Sequence, residues 1–509
     1  MKKKNKIILF NIILVIVLAI LLLISYYELS IANNKIGALS TKSFISASII
    51  LSCISLIISN LIFIKKKIST SKIFICVVPI TCLIFMFVMP MFRSHDELRH
   101  WLKAYEISEG TLVSKVIDGE VQSELPAAVA NGVNKYWRNI KYSDVLKSMK
   151  NELDKNDKKL HSMKEVALYS PVQYLPQSLG ISVTKLFTNK VMYMAYMARF
   201  FNMIFCLMLV YLAIKITPIG KKTILLISLF PLSIEAFSSM SPDGMTIGII
   251  LLFIAYVLKL KFGDELVKKK DIVILTILSI GIALCKIVYI PIVLLMLIVP
   301  KEKFKESKYK YITLIPIIII SFFINLLWLK IANSFLTLSS AGDSSNKVTQ
   351  ILKNPIKYLQ TVLYTINYYG DSYVNTLFGS VLAWGEYVKL YYIVPFTFGM
   401  LFLFDSTTSK SLKNKFNKFD IILIVCICIV IVGLIFTSLY VQWTDANESN
   451  TIQGVQGRYF IPIMFLVAII LSNMKINTEY KEENITKAIG ILGIILQVYI
   501  MLSIMIIHM

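Results

Sequence analysis

The chain reads as an all-α, polytopic integral membrane protein. Apolar runs of bilayer-spanning length recur from end to end. Of its 509 residues, 56% are hydrophobic and only 16% are charged, against about 25% charged in soluble domains. No segment alternates with the two-residue period of a membrane barrel. Backbone groups in lipid must pair within their own segment, so each long apolar run is expected to be helical.

The spans are expected at about 7–24, 44–64, 73–92, 191–214, 223–240 and 244–260. Residues 271–299 carry Lys286 at their middle and basic flanks on both sides, so two short helices with a turn near Lys286 are expected there. Further spans follow at about 309–332, 388–404, 420–440, 458–474 and 485–508, which makes about 13 crossings. Met1–Lys4 followed by Ile7–Ile24 has the composition of a signal peptide. No small-residue cleavage site follows, so a retained first span is expected. The chain divides into a hairpin (1–70), a membrane core (71–474) with large extracellular loops 93–190 and 333–387, and a last loop and span (475–509). Residues 175–187, and a helix after Asn354-Pro355 with Leu359, Val362, Leu363 and Ile366 on one face, are read as interfacial.

The net charge is +23, from 53 Lys+Arg against 30 Asp+Glu. The lysines sit in short loops between spans, for example Lys65–Lys67, Lys268–Lys270 and Lys410–Lys418. That is the positive-inside pattern, so the basic charge points to membrane orientation and not to nucleic acid. It sets the N-terminus in the cytoplasm, the C-terminus outside, and the stretch Arg93–Tyr105 at the outer surface. All seven cysteines lie in or beside apolar runs and read as small buried hydrophobes, Cys426 and Cys428 included.

With the lysine-rich loops inside, Arg93, Arg99, Arg199, Lys286, Lys389 and Arg458 remain at outer span ends, where the orientation bias disfavours cations. Arg199 and Lys389 are read as snorkelling to headgroups. Arg458 follows Gly454 and Gly457, where close backbone approach and free N–H groups favour an anion, so Arg458 and Lys286 are candidate phosphate-binding residues. Asp96 and Glu97 open a helix just past the third span. Either is a helix-start acid favoured by the macrodipole, or a general base at the membrane surface. Asp96, His100 and Lys103 share a helix face, and Asp96, Glu97 and His100 are the residues that would hold a divalent cation if one is used. Asp243 reads as part of a Ser241-Pro242 cap, and Glu235 as paired to a cation or part of the site. Trp384, Trp443, Tyr368, Tyr369, Tyr391 and Tyr392 read as an aromatic belt, with sugar stacking as the alternative. No nucleotide-binding glycine loop and no paired-cysteine metal motif is present in the sequence.

Several of these stretches carry a resemblance. They are Asp96-Glu97-x-x-His100-x-x-Lys103-Ala104-Tyr105, Ser170-Pro171-Val172-Gln173-Tyr174-Leu175, Ala198-Arg199-Phe200-x-Asn202, Ser239–Asp243, Cys285–Tyr289, Phe378–Trp384 and Gly454–Phe460. In this order they resemble a large bacterial family of multi-spanning membrane proteins grouped with GT-C type, polyprenyl-phosphate-sugar-dependent glycosyltransferases. The resemblance implies a GT-C-like helical fold in the bacterial cell membrane with its active site at the outer face. It implies a polyprenyl-phosphate sugar donor, a cell-envelope glycan or glycolipid acceptor, Asp96 or Glu97 as base or metal ligand, and Lys286 and Arg458 on the donor phosphate. His100, Arg99, Arg93, Asp243, Glu235, Gln456 and Tyr289 are the supporting candidates. A transporter, flippase or polymerase of lipid-linked saccharides is the alternative. One departure is that the acid follows the third span, whereas the family type carries it after the first.

Overall fold

A computed structural model describes residues 2–32, 38–131, 140–154, 156–339, 344–383, 388–389, 392–444, 450–474 and 481–508. Trp384 and Tyr391 lie outside the described residues. The first three helices are α1 (Lys2–Ala32), α2 (Ala38–Ile64) and α3 (Thr70–Val88), followed by the short, largely buried helix α4 (Glu97–Ser108). Two short helices, α5 (Ala127–Asn131) and α6 (Tyr142–Ser148), precede α7 (Leu175–Lys185) and α8 (Val191–Ile216). Then come α9 (Lys221–Ser228), α10 (Pro231–Ser238), α11 (Pro242–Phe262), α12 (Lys269–Cys285) and α13 (Ser307–Ser339). The chain closes with α14 (Ser344–Lys353), α15 (Pro355–Leu377), α16 (Ile393–Thr408), α17 (Lys418–Trp443), α18 (Met464–Leu471) and α19 (Glu482–His508).

Among the described residues, eight helices are long and apolar enough to cross a bilayer: α1, α2, α3, α8, α11, α13, α17 and α19. The other expected spans are shorter or broken. The run 223–240 is split into α9 and α10 at Pro231. The run 271–299 ends as a helix at Cys285 and continues as a 3₁₀ segment, Ile287–Ile298, with Pro291 inside it. The run 458–474 begins as a 3₁₀ segment, Gly457–Ile463, containing Pro462. Proline removes a donor and clashes with the carbonyl four residues back, a local reason for the breaks at Pro231 and Pro462, whereas α12 stops before Pro291 comes within that reach. A proline is not sufficient by itself, since α3 runs through Pro79 and α13 through Pro316. At the tenth expected span, Val388–Lys389 is a strand and the helix starts only at Ile393.

The all-α expectation needs one correction. The region between α4 and α7 holds a three-stranded antiparallel sheet in the order β1 (Lys115–Ile117), β2 (Glu120–Pro126), β3 (Lys158–Ser162). Ile117 pairs with Glu120, so Asp118-Gly119 is a two-residue hairpin loop. Both loop residues have positive φ, 51° and 77°, the type I′ geometry that matches strand twist and favours Asp-Gly. Beneath the sheet lies an apolar core of Trp101, Tyr105, Val121, Leu125, Met163, Tyr174 and the first turns of α8.

α11 is buried along most of its length and forms the axis of the bundle. Asp243 stands at its N-terminal end, while at the other end Lys261 pairs with Asp420 at 2.9 Å. The two ends are about 30 Å apart at the rise of an α-helix. α1 and α2 pack on α19, which is itself almost wholly buried. α7 lies against α8 and leaves Leu175, Leu179, Leu186 and Phe187 exposed beside it.

Candidate functional site

The site begins in the tight turn that follows α3. Phe92 and Asp96 both sit in the left-handed region, φ 67° and 56°, each costing about 1–2 kcal/mol for a residue with a Cβ. Asp96 is the N-cap residue of α4, yet its side chain makes no capping bond. It reaches instead across the fold, where Arg458 Nη2 donates to its Oδ2 at 2.7 Å.

Arg458 comes from the broken twelfth run. Gly457 lets that segment lie directly on α15: a Cβ there would meet Leu377 N at 2.2 Å and Tyr373 O at 2.5 Å. The Gly457 N–H donates to Thr376 Oγ1 at 3.3 Å. The glycine therefore serves close packing, and its N–H is not aimed at an anion as the sequence suggested. Arg458 Nε faces Asp243 Oδ2 at 3.6 Å. Asp243 in turn forms a close ion pair with Lys286. Asp96, Arg458, Asp243 and Lys286 thus form one chain of alternating charge, although they are 362 and 43 residues apart along the sequence at its two end pairs.

Lys286 is held by the helix break beside it. Where α12 stops, its last carbonyls have no intrahelical partner. Ser170 donates to Leu284 O and Gln173 Nε2 to Cys285 O. The Lys286 ammonium lies 4.9 Å from the Tyr459 ring centre and 5.8 Å from that of Tyr169, within cation–π range. Tyr289 ties the two broken segments together by donating to Tyr459 O at 2.7 Å.

A narrow cleft lies beside this chain, lined by His95, Glu235, Ser241, Asp243, Arg458 and Ile461 among others. His95 Nδ1 lies 2.9 Å from Glu235 Oε1, and the His95 backbone N–H donates to the same oxygen at 3.1 Å. His100 Nδ1 lies 2.9 Å from Tyr174 Oη. Burial pushes the His100 imidazole down to about 4, against the pull of the Asp96 and Asp243 carboxylates. Burial alone would push the Asp96 carboxyl up, but Arg458 and the two histidines outweigh it and hold it below its ordinary value. Burial raises both Tyr169, to about 12, and Tyr174.

Glu97 points elsewhere. Arg199 grips it with Nε to Oε1 at 2.7 Å and Nη2 to Oε2 at 2.6 Å, and the Met240 N–H donates to Oε1 at 3.0 Å. Both side chains are wholly buried. Arg199 also donates to the carbonyls of Met86, Met89 and Pro90 at the end of α3. Arg199 therefore does not snorkel: it closes the frayed end of α3 and anchors α4 to α8. Arg93 is fully buried as well. Arg99 is partly exposed beside Glu165 at 3.5 Å, away from the cleft. Lys103 turns away from Asp96 to Glu106 and Ser114 at 2.7 and 3.0 Å. Gln456 precedes the Arg458 segment, and its buried Oε1 has no hydrogen-bond partner among the described residues.

With Glu97 turned away, Asp96, Glu97 and His100 do not converge on one point. Among the described residues no three His, Cys, Asp or Glu side chains are grouped to hold a metal ion. His95, Tyr169 and Tyr459 join the site without having been singled out in the sequence. His95 sits next to Asp96 and could have been weighed with it, whereas its Glu235 partner lies 140 residues away.

No curated protein and no solved structure matches the chain. A family of predicted membrane proteins, DUF2142, matches residues 80–467, a segment that includes Asp96, Asp243, Lys286 and Arg458 but neither α1, α2 nor α19. That match covers most of the chain, which therefore belongs to the DUF2142 family of predicted membrane proteins.

Proposed function

We propose that the protein is a membrane glycosyltransferase of the GT-C type. It would move a sugar from a polyprenyl-phosphate carrier to a cell-envelope glycan or glycolipid at the outer face of a bacterial membrane. The observation that carries this reading is the meeting of Asp96 with Arg458 at 2.7 Å, beside Asp243 and Lys286, at the end of the bundle away from the Lys261 pair. A carboxylate and two cations in one cluster are the groups such a reaction uses. The Asp96 carboxylate takes the proton of the acceptor hydroxyl as its oxygen bonds to the anomeric carbon. The carbon–oxygen bond to the phosphate breaks, and its electron pair leaves with the phosphate. Arg458 and Lys286 stabilise the charge that develops there. Glu97, saturated by Arg199 and the Met240 N–H, holds α4 in place and takes no part in proton transfer.

The test is transfer in proteoliposomes with a polyprenyl-phosphate sugar and a glycan acceptor. Asp96→Asn is expected to lower kcat by at least about 100-fold, the usual scale of general-base loss. Full activity in that variant removes Asp96 as the base. Movement of the lipid across vesicles by the wild type, with no transfer, assigns a flippase instead.

A further inference from the structure

Each cation of the site already has a carboxylate. Arg458 is bonded to Asp96, Lys286 to Asp243, and the third carboxylate of the cleft, Glu235, is engaged by His95. A phosphate entering the cleft therefore meets no uncommitted cation among these residues. One feature is unfinished, however. Arg458 is buried, and its Nε has no hydrogen-bond partner among the described residues, standing 3.6 Å from Asp243 Oδ2. The Nε and Nη2 of one guanidinium edge form a fork suited to two phosphate oxygens. At present one tine of that fork holds Asp96 and the other holds nothing within hydrogen-bond reach. The Asp96 carboxylate is the more exposed partner, 38% against 9% for Arg458, and lies in a left-handed turn. It is the member of the pair with room to leave.

We infer that the Asp96–Arg458 ion pair is a latch that a phosphate ester opens by taking the arginine fork, so that Asp96 is released as a base only when the donor is bound. This rests on the proposal that Arg458 holds the donor phosphate. The exchange replaces one anion by another on Arg458 and leaves the Lys286–Asp243 pair in place. It also sets an order: donor first, acceptor second. An acceptor entering an empty site finds Asp96 occupied, and an acceptor entering a loaded site finds it unpaired.

The latch makes a prediction that a merely structural ion pair does not. Removing the acid should improve phosphate binding. The full chain in lipid nanodiscs is titrated with farnesyl phosphate and, separately, with inorganic phosphate, with no sugar present. Asp96→Asn is expected to tighten binding about three- to tenfold, because the competing carboxylate is gone. Arg458→Ala is expected to weaken it by at least about tenfold, since a bidentate charged contact is lost. Tightening with both probes identifies the phosphate group as the ligand, and tightening with farnesyl phosphate alone adds the lipid tail. Unchanged or weaker binding of both probes in Asp96→Asn overturns the latch. A second measurement needs no acid variant: the ¹⁵N side-chain resonance of Arg458, assigned by its loss in Arg458→Lys, must shift when farnesyl phosphate is added to the wild type. A resonance that stays in place also overturns it. Because neither experiment requires transfer, a protein that shows the exchange yet transfers no sugar keeps the latch and loses the glycosyltransferase reading.

Discussion

Asp96 and Glu97 are adjacent in sequence and differ in fate because of one backbone angle. A left-handed Asp96 throws its carboxylate toward Arg458, while Glu97 starts the regular helix and points into the core. Removing one partner of a buried, hydrogen-bonded pair leaves an uncompensated charge, so Arg199→Leu is expected to destabilise the protein by about 3–5 kcal/mol. The check is a thermal or denaturant midpoint in detergent, with Glu97→Gln falling in the same direction. His100 gives a pH prediction. Its folded value, about 4, lies below its ordinary 6.5. The unfolded chain therefore binds the extra proton first, and the contribution of neutral His100 is fully present above 6.5. It falls as pH drops from 6.5 towards 4, a loss on the order of 3 kcal/mol. A histidine NMR titration should show no protonation of His100 at pH 6.

At the scale of elements, three charged groups of the candidate site sit where helices break. Lys286 is the residue between α12 and its 3₁₀ continuation, Glu235 lies in α10 just after the Pro231 break, and Arg458 opens a 3₁₀ turn. Breaking a helix at membrane depth exposes carbonyls, and irregular backbone is tolerated there only when it is buried in protein or lines a cavity. Ser170, Gln173 and Tyr289 meet that need by bonding across the breaks. The sequence carried the breaks as prolines and as a lysine in an apolar run. It did not carry their partners, which come from segments more than 100 residues away. Gly457→Ala is expected to push the Arg458 segment off α15, because its Cβ would fall 2.2 Å from Leu377 N. Overpacking of this kind costs about 1–3 kcal/mol. The readout is a lower melting temperature together with weaker farnesyl phosphate binding.

For the whole molecule, the orientation rests on the lysine-rich loops, and accessibility labelling decides it. Lys150 and Lys415 are both exposed, the first in the region between α4 and α7 and the second between α16 and α17. A membrane-impermeant thiol reagent added to whole cells is expected to label Lys150→Cys and to label Lys415→Cys only after permeabilisation. The reverse pattern inverts the topology. The regions outside the family match also form a pattern: α1 and α2 pack on α19, so the two ends of the chain lie together around the matched core.

Length, apolarity and charge placement in the sequence were enough to establish a helical membrane protein, because a bilayer imposes a fixed span and intrasegment hydrogen bonding. The same rules marked Lys286 and Arg458 as charges out of place, while Asp243 read as part of a helix cap. The sheet was missed, because it lies inside a region read as all-α and its first strand, Lys115–Ile117, is too short to show an alternating pattern. Which acid meets Arg458 could not be read from the sequence, since it depends on the left-handed φ of Asp96 and on a partner 362 residues away. Nor could the fate of Arg199, whose five acceptor atoms come from α3, α4 and the turn between them. Only the tertiary structure decided that Glu97 is a buried strut and that Asp96 meets Arg458, because those pairings are set by packing between helices far apart in the chain.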